Sequence, residues 1–251
     1  MLRLARPARL RGARGDLARG LRRRGKSSLP ATTSQDSCAA AWEKTYAATT
    51  QAELDEAYAA WAPTYDEDSI GRFGYAAPEA AAECLARHLS PRYDARILDA
   101  GAGTGLVGAF LAERGFGHLV GLDCSEDMLE QARRKECYRE LACANLNDPD
   151  VVPRGSLAAL VAVGTCTPNH IEAGASLRQW SAWLEPGGLI CLSLRSDFWE
   201  ASLAEPGGIG AACNDLVRDG IWRIVEVTEE SVYTSRVSDV TFRIRLYEVV
   251  R

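Results

Sequence analysis

Three glycines at alternate positions, Gly101, Gly103 and Gly105, have the clearest chemical meaning in this 251-residue sequence. They follow a short apolar run that contains Asp99, and a segment with helical spacing follows them. Glycines between a strand and a helix permit positive φ angles and let a ligand approach the backbone. The first amides of the helix point into the same turn and can donate to polar ligand groups. The pattern predicts a turn that binds a nucleotide or a nucleoside.

A second acid, Asp123, ends the next apolar run, where its carboxylate could accept hydrogen bonds from two ribose hydroxyls. Residues 103–108 also spell G-x-G-x-x-G, the dinucleotide fingerprint, which is a weak signal when it stands alone. A nicotinamide dinucleotide is therefore one candidate ligand, and the elements around the turn must decide.

Strand-like and helix-like segments alternate along the chain. Strands are predicted over residues 95–100, 119–123, 138–144, 157–163 and 189–194, and helices over 51–61, 75–89, 106–112, 125–132, 177–184 and 211–218. This order predicts a doubly wound α/β sheet that binds ligands beyond the carboxyl ends of its strands, with an N-terminal helical cap. Two last strands, 221–227 and 240–249, predict a C-terminal antiparallel hairpin, whereas a nicotinamide fold would continue with β-α units.

The composition is that of an ordinary globular protein, 47% hydrophobic and 25% charged, and predicts one domain over residues 36–251. No apolar run approaches the roughly 20 residues that span a bilayer. The eight cysteines are scattered, without a C-x-x-C pair or a short His/Cys cluster. Most are therefore expected to be small buried residues in a reducing compartment, and no metal site is predicted.

The first 35 residues differ from the rest. Nine arginines and one lysine precede residue 27, against the single acid Asp16, and serines and threonines follow. This composition is typical of an organellar transit peptide, and a disordered basic tail or a misassigned start codon is the alternative. A cytoplasmic or mitochondrial location is expected.

The remaining chain is acidic. Because the whole chain carries a net charge of −5 and the first 26 residues carry +9, residues 27–251 carry −14. Their longest basic run is 133–135. Nucleic-acid binders present a basic stripe to phosphates, so a small-molecule or peptide partner is predicted, with no nucleic acid, no membrane and a monomeric chain.

Several stretches together resemble class I S-adenosylmethionine-dependent methyltransferases, in particular the Williams–Beuren syndrome region methyltransferase-like group. They are W-A-P-T-Y-D-E-D at 61–68, Y-A-A-P at 75–78, and residues 97–107, 121–129 and 185–192. The resemblance covers residue 54 to the C-terminus, and the first stretch is the most specific to this group. It implies a seven-stranded, Rossmann-like methyltransferase sheet, S-adenosylmethionine as cofactor, and methyl transfer as the activity.

The resemblance also implies a set of cofactor contacts in this sequence. The glycine turn would line the methionine and ribose, Asp123 would bind the ribose hydroxyls, and Gly164 would lie near the sulfonium. The residues implied to bind the cofactor are Tyr58, Tyr65, Asp99, Gly101, Ala102, Gly103, Asp123, Cys124, Met128, Asn145, Leu146 and Gly164.

Alternatives remain for three of these residues. Met128 could be a core residue, Tyr58 could be a packing residue, and Asn145 stands where many class I enzymes have an acid that meets the adenine amino group. Its amide oxygen can still accept that hydrogen bond.

No catalytic residue is assigned. His170 is a candidate base in the loop after the fourth strand, with a solvated loop histidine as the alternative. The absence of an Asn-Pro-Pro-Tyr-type stretch there argues against methylation of adenine, cytosine or glutamine amino groups. A non-catalytic regulator that binds the cofactor, and then a nicotinamide oxidoreductase, are the other functions considered.

Overall fold

The computed structural model describes residues 35–167, 171, 173–235 and 237–250. The helices are α1 (Gln35–Ala47), α2 (Gln51–Trp61), a π-helical turn (Glu67–Arg72), α3 (Ala77–Leu89), α4 (Leu106–Glu113), α5 (Glu126–Arg133), α6 (Ala173–Trp183), α7 (Ser196–Leu203) and α8 (Ile209–Arg218). The strands are β1 (Ile97–Ala100), β2 (Leu119–Asp123), β3 (Glu140–Cys143), β4 (Leu157–Val163), β5 (Leu184–Arg195), β6 (Trp222–Val227), β7 (Ser231–Thr234) and β8 (Val237–Val249). The predicted basic tail and His170 lie outside the described residues.

The strands form one sheet in the order β3-β2-β1-β4-β5-β8-β6, with β7 paired to β8. The first five strands are parallel, and β8 runs antiparallel to both β5 and β6. The chain reverses its direction of progress across the sheet between β1 and β4. A ligand cleft is expected beyond the carboxyl ends of these strands. The doubly wound sheet and its antiparallel C-terminal part are confirmed.

Successive residues of the central strands face opposite sides of the sheet, and helices cover both sides. Ile97 packs in one cluster with Leu85 of α3 and Leu111 of α4. Leu98 packs in the other cluster, with Trp180 of α6 and Leu216 of α8. Burial on both faces explains why these strands read as continuous apolar runs.

The expected seven strands form the path of this sheet, and β7 is an additional, eighth strand that pairs with β8. The segment 228–239, predicted as a simple connection, contains β7, whose Ser231 and Val232 pair with Phe242 and Thr241. Only four residues long, β7 gives too short an alternation to be detected in the sequence.

The N-terminal cap consists of α1, α2 and the π-helical turn. Asp68, which is 3% exposed, holds this segment together. Its carboxylate accepts hydrogen bonds from Trp61 Nε1 at 2.9 Å, Thr64 Oγ1 at 2.9 Å and Arg72 at 2.8 Å. A buried carboxylate needs such donors, so the W-A-P-T-Y-D-E-D stretch is in large part a structural motif. Tyr58 lies on α2, which ends at Trp61, and Tyr65 follows the end of this helix.

Candidate functional site

A cavity of about 300 Å³ lies beyond the carboxyl ends of β1, β2 and β4, under the N-terminal cap. Its walls come from the glycine turn, the ends of β2 and β4, the loop after β3, and aromatic residues of the cap and the antiparallel part. Ten predicted site residues line it: Tyr58, Tyr65, Gly101, Gly103, Asp123, Cys124, Met128, Asn145, Leu146 and Gly164. The fold therefore brings most of the predicted site together around one space.

The glycine turn is held closely against the loop after β4. Gly101 has a φ of +77°, and a Cβ added there would lie 2.2 Å from Thr165 Oγ1. That hydroxyl donates to the carbonyl of Ala100 at 2.8 Å. At Gly103, with a φ of +54°, an added Cβ would meet no atom within 4 Å. Gly101 is thus required for packing, whereas the backbone at Gly103 is open to the cavity.

Asp123 links the end of β2 to the glycine turn. Its Oδ2 accepts the amide of Gly103 and its Oδ1 accepts the amide of Ser125, both at 2.8 Å. Burial raises the pKa of this carboxyl, and these two backbone donors oppose the shift. Each carboxylate oxygen has a further lone pair. The carboxylate is therefore fixed in orientation and can still accept hydrogen bonds from a ligand in the cavity.

The loop after β3 forms the wall beside Asp123. The carbonyl of Leu146 accepts Trp180 Nε1 at 3.2 Å, which anchors the loop to α6. Asn145 Oδ1 accepts the amide of Asn147 at 2.9 Å, so one lone pair of the oxygen predicted to meet a base is already used. Met128 is 3% exposed and lines the cavity, so it is a core residue, and its contact with a ligand stays a prediction.

Two predicted residues do not line the cavity. Asp99 is 2% exposed and accepts a hydrogen bond from Tyr138 Oη at 2.6 Å. Burial raises the pKa of Asp99 to about 7. Ala102 is also buried, and its amide donates to the carbonyl of Leu122 at 2.9 Å. Both residues therefore support the glycine turn without lining the cavity.

Tyr138 also explains the third glycine of the dinucleotide fingerprint. A Cβ added at Gly108 would lie 2.2 Å from the Tyr138 ring, and one added at Gly105 would lie 3.0 Å from it. These glycines make room for the partly buried Tyr138 side chain, so packing within the chain accounts for their spacing without a dinucleotide.

The opposite end of the cavity is aromatic. Its rings are those of Trp42, Tyr46, Trp61, Tyr75 and Tyr233. Tyr58 and Tyr65, implied to bind the cofactor, also line the cavity, and burial together with the nearby charge of Asp123 raises their pKa values. The hydroxyls of Tyr75 and Tyr233 lie 3.2 Å apart. A Cβ added at Gly164 would lie 3.3 Å from Tyr75 Oη, so this pair faces the end of β4. Burial raises the pKa of both tyrosines well above the ordinary value, which keeps them neutral.

Two charged contacts hold the cap over the cavity. Asp66 accepts Thr104 Oγ1 and Lys135 Nζ, each at 2.5 Å, and Lys135 also donates to the Thr104 carbonyl at 2.6 Å. On the other side, the guanidinium of Arg195 lies 4.2 Å from the centre of the Phe198 ring and 5.3 Å from that of Tyr46. The cap is thus attached to the glycine turn at one end and to β5 at the other.

The sequence did not identify Asp66, Thr104 and Lys135, which form the clamp between the cap and the glycine turn. It also did not identify most of the aromatic residues that line the cavity. A signal was present for Tyr75 and Asp66, since both stand in stretches that resemble a known group. Trp42, Tyr46 and Tyr233 gave no such signal, because they come from segments without a motif.

Comparison with known proteins gives consistent matches. Residues 97–188 match the family described as "Methyltransferase domain". The human protein named Methyltransferase-like protein 27 is 35% identical over 167 residues, which cover 66% of this chain and 66% of that protein. The alignment thus spans slightly less than two thirds of this relative's length.

Two solved structures show the same fold. One is described as an S-adenosylmethionine-dependent methyltransferase, possible histamine N-methyltransferase, from Thermotoga maritima. It has a TM-score of 0.55 and 16% identity, covering 77% of this chain and 98% of that chain. The other, the [4+2]-cyclase SpnF, has a TM-score of 0.53 and 15% identity, covering 68% of this chain and 80% of that chain. At these identities the likeness concerns the fold alone.

Proposed function

Because this chain belongs to the class I S-adenosylmethionine-dependent methyltransferases, we propose that it transfers a methyl group from S-adenosylmethionine to a small-molecule or peptide acceptor. The observation that carries this proposal is the composition of one cavity. Asp123 and the glycine turn stand at one end, and neutral aromatic side chains stand at the other.

The first end fits the cofactor. Asp123 has spare lone pairs for the ribose hydroxyls, and Gly103 offers open backbone for the methionine part. Met128 and Leu146 offer apolar contacts, and Cys124 and Asn145 stand beside them. The sulfonium would lie near Gly164, as the family resemblance implies, and the hydroxyls of Tyr75 and Tyr233 stand beside that glycine.

Bound S-adenosylmethionine would supply a methyl group activated by a positively charged sulfur. The residues of this chain would hold the acceptor nucleophile in line with that methyl group and exclude water, and such positioning alone can supply much of the rate. The neutral Tyr75 and Tyr233 hydroxyls would orient the acceptor by hydrogen bonds. Since their pKa values are raised, they are not bases at neutral pH.

The charges around the cavity support an uncharged acceptor group. Among the described residues that line it, Asp55 and Asp123 alone carry a charge, and both belong to the first end. The whole cavity of about 300 Å³, which would have to hold the cofactor as well as the acceptor, lies at the lower limit of small-molecule sites. A small acceptor with aromatic or apolar character therefore suits the second end better than an extended peptide.

The basic run at 133–135 does not favour nucleic acid. Arg133 pairs with Glu126, Arg134 with Glu130, and Lys135 with Asp66. Charges neutralised within the chain contribute little to phosphate binding. No helix among the described residues combines the length and apolar character needed to span a membrane.

A second candidate is a regulator that binds the cofactor without transferring its methyl group. The cyclase SpnF, similar in fold, illustrates that fold alone does not determine the reaction.

The test is release of S-adenosylhomocysteine by the full chain supplied with S-adenosylmethionine and separate small-molecule, peptide and nucleic-acid fractions of a cell extract. We expect turnover with the small-molecule or peptide fraction, and turnover about five- to fifty-fold slower for Asp123→Ala at a cofactor concentration near the wild-type KM. Cofactor binding without turnover in any fraction would favour the regulator, and turnover only with nucleic acid would refute the proposed acceptor class.

A further inference from the structure

Cys84, His88 and Glu226 bring three potential metal ligands together away from the cavity. Cys84 and His88 are four residues apart on α3 and so share one face of the helix, while Glu226 projects from β6. The ligand atoms of the three side chains all lie within 4.8 Å of one another. The cluster could not be predicted from the sequence, because 138 residues separate His88 from Glu226.

The hydrogen bonds of His88 determine what its ring can offer. Nδ1 lies 2.9 Å from the carbonyl of Cys84. Since a carbonyl only accepts, the proton must be on Nδ1, and this bond is the support that metal-binding imidazoles commonly have. Nε2 then faces Glu226 Oε2 at 3.4 Å. A neutral ring would point the lone pair of Nε2 at the carboxylate, which is repulsive. A proton or a metal cation between Nε2 and Oε2 would remove this repulsion.

The spacing suits a metal. Tetrahedral Zn²⁺ bound to nitrogen and oxygen at about 2.1 Å separates the two ligand atoms by about 3.4 Å. The other oxygen of Glu226 accepts Arg87 at 2.8 Å, which leaves Oε2 for the ion and fixes the carboxylate. Cys84 is 1% exposed, whereas the side chains of His88 and Glu226 are each 29% exposed, so the cluster opens to solvent on one side.

We propose that Cys84, His88 and Glu226 bind a transition-metal dication, Zn²⁺ above all, with a fourth position open to water. Thiolate and imidazole ligands select zinc over calcium or magnesium. The ion would link α3 to β6 in the folded chain alone, because the unfolded chain does not hold the three ligands together. Metal binding would therefore stabilise the fold. This proposal does not depend on methyl transfer.

The test uses the untagged full chain, stripped with a chelator and kept reduced. Titration with ZnCl₂ should show one ion per chain and raise the melting temperature. Titration with CoCl₂ should produce the thiolate-to-cobalt charge-transfer absorption. His88→Gln should weaken zinc binding at least about ten-fold, and Cys84→Ser should abolish the absorption. His118→Gln and Cys143→Ser are the matched controls and should behave as wild type.

Circular dichroism would establish that each variant is folded. If Cys84→Ser fails to fold, His88→Gln and Glu226→Gln carry the test, since both side chains are partly exposed. No zinc binding by the wild-type chain, or equal binding by wild type and His88→Gln, would overturn the proposal and leave His88 and Glu226 as an ion pair.

Discussion

The two ends of the cavity are built in different ways. The cofactor end is made largely of backbone: a glycine turn, the amides of Gly103 and Ser125, and one carboxylate that accepts both. The aromatic end is made of side chains, with Trp42 and Tyr46 from α1 and Tyr233 from β7. The first end depends on conformation at a few adjacent positions, and the second on how distant elements pack.

This difference explains what each end can do. A site made of backbone groups tolerates few substitutions, and it suits a ligand that is the same throughout a family. A site made of separate side chains can be altered by single substitutions, and it suits an acceptor that differs between family members. We therefore expect substitutions at the cofactor end to change the affinity for the cofactor, and substitutions at the aromatic end to change the affinity for the acceptor.

The largest effect is expected for Gly101→Ala. The added Cβ would overlap Thr165 Oγ1 at 2.2 Å in addition to the strain of a positive φ. Gly187→Ala is the matched control, because Gly187 has a φ of +81° and open space around its Cβ position. We expect a loss of about 1–2 kcal/mol in the free energy of unfolding for the control and about 1–3 kcal/mol more for Gly101→Ala. Urea unfolding measures both.

A double variant sharpens this test. Adding Thr165→Ala to Gly101→Ala removes the hydroxyl that overlaps, so part of the lost stability should return. Equal losses for Gly101→Ala and Gly187→Ala would mean that the turn is not held by Thr165.

The fold and the cofactor end could be predicted from the sequence because their signals are local. Gly101, Gly103 and Asp123 follow directly on apolar strands, and the topology of parallel strands brings strand ends together. The aromatic end could not be predicted, since Trp42 and Tyr233 meet at ring centres 6.0 Å apart only after the sheet has formed. Asp99 was assigned to the cofactor because the sequence could not reveal that Tyr138 would bury it.

The next effect concerns Asp123. Asp123→Ala removes charge-assisted hydrogen bonds to the ribose, worth about 1.5–3 kcal/mol, and should weaken S-adenosylhomocysteine binding about ten- to hundred-fold. Asp127→Ala, an exposed acid on the following helix, should bind as wild type. Tyr233→Phe at the aromatic end should also leave this affinity unchanged. Isothermal titration calorimetry measures these affinities. A loss of affinity for Tyr233→Phe as large as that for Asp123→Ala would contradict the distinction between the two ends.

Asp99 gives a pH dependence of stability. Because burial raises its pKa to about 7 in the folded protein and the unfolded value is about 3.9, the folded chain keeps this proton longer. The resulting stability is complete below about pH 4 and is lost as the pH rises towards 7. Relative to Asp99→Asn, the wild type should lose about 2 kcal/mol between pH 5 and pH 7. If urea unfolding shows that the stabilities of the wild type and of Asp99→Asn change in parallel between pH 5 and pH 7, Asp99 does not have a raised pKa in the folded protein.

The smallest effect is expected at the clamp that joins the cap to the glycine turn. Lys135→Met removes the ion pair with Asp66, which is partly exposed, and should cost about 1 kcal/mol, or about five-fold in cofactor affinity. Arg134→Met is the control, since its pair with Glu130 is solvent-exposed and includes no residue of the cap. If both variants bind equally, closure of the cap does not depend on Lys135.

The most direct test of the central claim is calorimetry of the wild-type chain with S-adenosylmethionine, S-adenosylhomocysteine and NADH. The cavity has one carboxylate held against the glycine turn, Asp123, which we propose as the ribose acceptor, and an aromatic end where a second nucleotide would have to lie. We predict one site per chain for each of the two adenosyl compounds and no heat of binding with NADH. Binding of NADH without either adenosyl compound would contradict the whole account.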